Sequence, residues 1–210
     1  MRNVLISVAA LAIATASSAI AGPVVLAVTV DTSSLAGTVG SLDLNFNPGP
    51  TSSQAAYLTV SDFIAGTLAG GCPCGLGNVI GELPPGLTFD NGAALNDYFE
   101  GLTFGSLLSF NLNFSGPALV APDGTSVSGS TFAFSLFSDA AGTTPALTTD
   151  TLNGFAFTVD VNLDGGTSVT NNSSQTSIET LTPEPATLLL SGLALATFAL
   201  VRRARGSASL

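Results

Sequence analysis

Apolar and polar residues alternate with period two through the middle of the chain. Leu42, Leu44 and Phe46 are separated by Asp43 and Asn45, and Phe110, Leu112 and Phe114 by Asn111 and Asn113. Phe132, Phe134 and Leu136 repeat the pattern, as do Phe155, Phe157, Val159, Val161 and Leu163. Successive side chains of a strand point to opposite faces, so each run predicts a strand with one face in a core and the other in water. Turn signals stand between the runs: Asn47-Pro48-Gly49-Pro50, Pro84-Pro85-Gly86, Asp90-Asn91-Gly92, Pro122-Asp123-Gly124 and Asp164-Gly165-Gly166. Gly and Pro recur too often for long helices, and only the stretch from Ala93 to Phe99 admits a short one. The expectation is an all-β fold, a single β-sandwich or jelly-roll-like domain of roughly eight to ten strands. No fixed repeat points to a solenoid.

The alternation stops at both ends. Arg2 precedes an apolar core from Val4 to Ile13, and small residues lead to Ala19-Ile20-Ala21. This is the organisation of a secretory signal peptide with an A-x-A site, so residues 1–21 are predicted to be removed by a cut between Ala21 and Gly22. At the other end Pro183-Glu184-Pro185 precedes the apolar run from Ala186 to Val201, after which Arg202, Arg203 and Arg205 cluster. As a helix that run would cover ~24 Å, somewhat less than the ~30 Å hydrocarbon core of a bilayer, with flanking residues to make up the difference. It is therefore predicted as a transmembrane helix over residues 186–201. The arginines would hold its C-terminal side in the cytoplasm and leave the body on the outer face. Pro183 and Pro185 would keep the segment before the helix extended. The predicted organisation is thus a signal peptide (1–21), an exported body (22–182) and a tail (183–210).

The combination of Pro-Glu-Pro, a short apolar helix and an arginine cluster resembles the PEP-CTERM sorting signal of Gram-negative bacteria. That resemblance implies recognition by exosortase, a membrane-embedded cysteine transpeptidase. It assigns Pro183, Glu184 and Pro185 as the recognition motif and implies removal of the tail as the protein passes to the cell surface or extracellular matrix. The membrane would hold the chain through the C-terminal helix until then. Residues Val30 to Gly49 also look like a block found in PEP-CTERM proteins whose exported domain has no assigned activity.

Charge sharpens the picture of the body. The chain has four basic residues, fourteen acidic ones and no His. All four cations are the arginines at positions 2, 202, 203 and 205, and of the acids only Glu184 lies beyond residue 182, leaving thirteen acids in a body without a cation. Nucleic acid is thereby excluded as a partner, because phosphate neutralisation needs Lys or Arg. Ser-His-Asp, Cys-His and Ser-Lys nucleophile systems and His-ligated metal centres are excluded as well. No catalytic residues are assigned, and the chain is expected not to be an enzyme. A carboxylate pair of the glycosidase kind is the chemistry left open, with Asp97-Tyr98-Phe99-Glu100 as the densest acidic cluster, read as a surface turn beside a strand.

Two further motifs offer chemistry. Cys72-Pro73-Cys74, in a glycine-rich stretch, contains both cysteines of the chain. An oxidising compartment favours a disulfide, local or intermolecular, whereas the spacing fits neither a two-residue redox motif nor a four-ligand zinc site. Asp160, Asn162 and Asp164 match the first half of a calcium loop, in which alternate oxygens converge on a hard cation and Gly165 turns the chain. Asn171 stands where a bidentate Glu would close the loop, so the triplet is read first as the polar face of a strand entering a hairpin, and second as a weak calcium site. No other cofactor is expected. The functional expectation is an exported surface or matrix protein whose partners are exosortase, the secretion machinery and extracellular polysaccharide. The alternatives are a calcium- or glycan-binding surface module and, behind it, a carboxylate-based hydrolase.

Overall fold

The computed structural model describes residues 22–70 and 74–181. The predicted signal peptide, Ala21, Cys72, the Pro183-Glu184-Pro185 motif, the predicted transmembrane helix and Arg202, Arg203 and Arg205 lie outside the described residues. No helix among the described residues is long and apolar enough to cross a membrane.

In chain order the strands are β1 (Val24–Asp31), β2 (Val39–Pro48), β3 (Tyr57–Ile64), β4 (Thr67–Leu68), β5 (Cys74–Leu76), β6 (Val79–Glu82), β7 (Gly86–Asp90), β8 (Asp97–Thr103), β9 (Leu107–Ser115), β10 (Ser130–Phe137), β11 (Phe155–Val161), β12 (Thr167–Asn171) and β13 (Thr176–Leu181). They form two sheets, ordered β13-β1-β9-β3-β7-β6 and β12-β11-β10-β2-β8-β4, with β5 also paired to β8. Every pairing is antiparallel. Because β1, β2 and β3 alternate between the sheets, each sheet is assembled from distant parts of the chain: β9 lies between β1 and β3, and β2 between β8 and β10.

The period-two pattern explains how the sheets meet. Leu108, Phe110, Leu112 and Phe114 alternate inward along β9, facing Leu42, Leu44 and Phe46 of β2 and Phe132, Phe134 and Leu136 of β10 in one continuous core. Phenylalanines bridge the two sheets: the ring of Phe110 lies 5.1 Å from that of Phe134, and Phe114 lies 6.1 Å from Phe46 and 6.3 Å from Phe132. Such edge-on pairs each add about 0.5–1.5 kcal/mol beyond the area they bury. The expected all-β fold is present as two sheets facing one another across this core.

Several local expectations give way. Thirteen strands are found among the described residues, the excess over the prediction coming from short pieces between Thr67 and Glu82, where glycine obscures alternation. No helix forms between Ala93 and Phe99, because β8 already begins at Asp97 and pairs with β2. The one short α-helix among the described residues, α1 (Pro117–Val120), starts with proline at its first turn, where a missing N–H costs nothing. Phe155 does not continue the inward row of β11: the register shifts between Phe134 and Ser135, and Ala156 takes a buried place while Phe155 is only half-buried. Leu163, at the end of the same sequence run, lies beyond the strand and is exposed.

Candidate functional site

The calcium-like triplet spans the end of β11 and the hairpin to β12. Asp160 lies on β11 and accepts a hydrogen bond from the Thr131 hydroxyl at 2.6 Å. Asn162 Oδ1 accepts from the Ser168 hydroxyl at 3.3 Å, and Asp164 Oδ1 from the Gly166 N–H at 2.9 Å. Gly165 has φ of +84°, the left-handed conformation that the turn requires and glycine adopts without strain. The three oxygens therefore accept from three different donors. No group of three or more His, Cys, Asp or Glu side chains placed to hold a metal occurs among the described residues. Beside the triplet, an open groove of about 330 Å³ runs between the β10 and β11 ends and the loops at Pro50 and Val127, lined in part by Ser128, Thr131, Asp160 and Asn162. Cys74 opens β5 in register with Phe99 of β8.

The acidic cluster Asp97-Tyr98-Phe99-Glu100 is not a surface turn but the first half of β8. Alternation sends its residues to opposite faces. Tyr98 and Glu100 are buried on the inner side, where the Tyr98 hydroxyl donates to Glu100 Oε2 at 3.1 Å and accepts from the Leu83 N–H at 3.2 Å. The Gly70 N–H reaches Glu100 Oε1 at 3.3 Å. Burial pushes the Tyr98 phenol up to about 12, the Leu83 N–H opposing and the Glu100 carboxylate reinforcing that shift.

On the outer side Asp97 stands opposite Asn45 of β2, which makes Asp43, two residues along β2, its diagonal neighbour. Asn45 Nδ2 donates to Asp43 Oδ2 at 2.9 Å. Asp43 Oδ1 and Asp97 Oδ1 are both buried and find no hydrogen-bond donor among the described residues. Burial first, and then the facing Asp97, push the Asp43 carboxyl up to about 8, against the pull of the Asn45 amide. Sequence reading misses this pair. Its only local signal is the polar position between Leu42 and Leu44, and that position looks like any solvated strand face.

The two ends of the body come together at the edge of the first sheet. β13 is the outermost strand and pairs with β1, placing Val25 opposite Leu181. The first and last strands of the described body thus lie side by side. Pro183 is two residues past Leu181 in the sequence. Residues 181–203 match the family model of the PEP-CTERM protein-sorting motif. The chain carries a PEP-CTERM sorting motif.

The PEP-CTERM match begins on the last residue of β13. The match is consistent with an exosortase substrate and implies export with exosortase-dependent delivery to the surface or extracellular space. No curated protein and no solved structure matches the chain.

Proposed function

We propose that this protein is a non-enzymatic structural component of an extracellular polysaccharide matrix, exported as residues 22–182 after loss of the signal peptide and of the PEP-CTERM tail. The observation that carries the reading is the motif match starting at Leu181, where β13 ends. Two properties of the body support the matrix role. Its first sheet turns a hydroxyl- and amide-rich face outward, with Thr29, Ser109, Asn111 and Asn113 on adjacent strands. Its cation-free composition suits a hydrated neutral polymer better than an anionic surface. In the membrane-held intermediate, the apolar run from Ala186 to Val201 anchors the chain and Pro183, Glu184 and Pro185 present it to the exosortase.

Mass spectrometry of the protein taken from its own cell surface tests the sorting step. A C-terminus near Pro183 is expected, and a chain intact through Leu210 refutes it. Co-fractionation of the cleaved body with matrix polysaccharide tests the structural role.

A second reading, a glycan-binding surface module, is favoured by the groove beside Ser128, Thr131, Asp160 and Asn162, whose hydroxyl, carboxylate and amide groups suit a polyhydroxylated ligand. A glycan array without hits on the wild-type chain would remove it. Calcium at Asp160, Asn162 and Asp164 would use lone pairs that their present donors leave free, and a calcium-dependent rise in Tm that Asp160→Ala abolishes would establish it.

A further inference from the structure

The body has no Lys, Arg or His, so a buried carboxylate in it has no internal counter-ion to pair with. Most of its acids avoid the difficulty by exposure or by accepting backbone N–H groups. Asp43 and Asp97 are half-buried and accept no backbone N–H: both Oδ1 atoms are buried, both are acceptors only when ionised, and no donor among the described residues reaches either Oδ1. The strands around them supply no cation, and none of their side chains donates to either Oδ1. β2 contributes the Asn45 amide, already bonded to Asp43 Oδ2. β10 places Ser135 opposite Asp43 without a hydrogen bond from its hydroxyl to Asp43 Oδ1, and β8 sends its other acid, Glu100, to the inner face. The titratable residue of β5 is Cys74, in register with Phe99 rather than with Asp97. Asp139, in the loop after β10, accepts the Ala141, Thr143 and Thr144 N–H groups within its own loop.

We propose that Asp43 and Asp97 share a single proton at neutral pH, which turns one of them into the donor the other lacks and makes the β2–β8 seam a pH-sensitive element of the second sheet. When the proton leaves for solvent, two carboxylates face each other at a site no cation of the body can reach, and the seam between β2 and β8 weakens. The edge strands β4 and β5 hang on that seam through β8, so alkaline loosening spreads to them. The raised Asp43 carboxyl agrees with this arrangement in direction.

The sequence makes the test unusually clean. With no His in the chain, no ordinary side chain titrates between about pH 5 and pH 8, above the carboxylates and below the thiols. The full chain, held in detergent, should show an infrared C=O stretch of a protonated carboxyl at about pH 7, where ordinary Asp and Glu are ionised. The band should fade above about pH 8 and be missing in the Asp43→Asn/Asp97→Asn double variant. The Tm of the wild-type chain should fall from about pH 5 to pH 8 while that of Asp97→Asn, whose amide donates to Asp43 without a proton, stays level. Absence of the band at about pH 7 overturns the proposal, whether or not added calcium raises the wild-type Tm; so does its persistence in the double variant, or a level wild-type Tm. If the variants do not fold, the wild-type band and its loss with pH still decide.

Discussion

Asp123 lies in the loop before β10 and accepts the N–H groups of Ser126 and Thr125, whereas Asp43 lies mid-strand in β2 and faces a second carboxylate. Those N–H groups hold the Asp123 carboxyl below the usual range, and Asp150 is lowered in the same way, chiefly by the Asn153 N–H. Asp139 is lowered too: desolvation opposes the shift, but the N–H groups of Thr143, Thr144 and Ala141 outweigh it. Asp43 moves the other way, up to about 8. The difference is one of free donors. Turns leave N–H groups outside any ladder, and these replace Lys and Arg as the positive ends that stabilise a carboxylate. In β2, flanked on both sides by β8 and β10, the backbone groups are committed to the sheet, so an acid there has only its neighbours' side chains.

The contrast gives opposite pH slopes. A raised folded pKa contributes stability that is full below the unfolded value of 3.8 and lost as pH rises through about 8. A lowered one contributes stability present above 3.8 and lost as pH falls through the folded value. Stability should therefore peak in mildly acidic solution and decline on both sides.

The largest effect is expected from Asp43→Asn, which removes the acid whose Oδ1 has no donor and should raise stability at about pH 8 by about 1–3 kcal/mol, as measured by denaturant unfolding. A destabilised variant there would break the comparison, since it would mean that Asp43 has a partner outside the described residues. Tyr98→Phe probes the inner face of the same β8, where Glu100 does have donors. Loss of the hydroxyl leaves the Leu83 N–H without its acceptor and Glu100 with one donor fewer, and should cost about 1–2 kcal/mol by the same measurement. Asp123→Ala should cost least, because its loop is exposed, and the loss should be seen near neutral pH and vanish in acid, where the wild-type carboxyl is protonated too. A loss that persists unchanged in acid would show that the loop is held by shape rather than by the charge on Asp123.

Much of this molecule is legible from contiguous residues. The runs at Leu42–Phe46, Phe110–Phe114 and Phe132–Leu136 identify strands and their inward faces because a strand's period is a local property, and these faces do form the core. The run from Phe155 to Leu163 misleads at both ends: a bulge displaces Phe155 from the row, and the turn begins before Leu163. A bulge is set by the partner strand, which local periodicity does not contain. The cluster at Asp97–Glu100 reads as a turn for a related reason, since its acids suggest solvent until β2 is placed beside it.

By itself, the sequence determined the composition of the body, its all-β character and the sorting motif, because each depends on residue types at short spacing. The motif match at residues 181–203 rests on such spacing alone. Only the tertiary structure decided which acids meet and where the ends emerge. Asp43 reaches Asp97 through the β2–β8 register, and the two ends of the body share an edge because β1 pairs with β13. Both are consequences of antiparallel pairing between strands far apart in the chain, and no local pattern encodes which strand will be the neighbour.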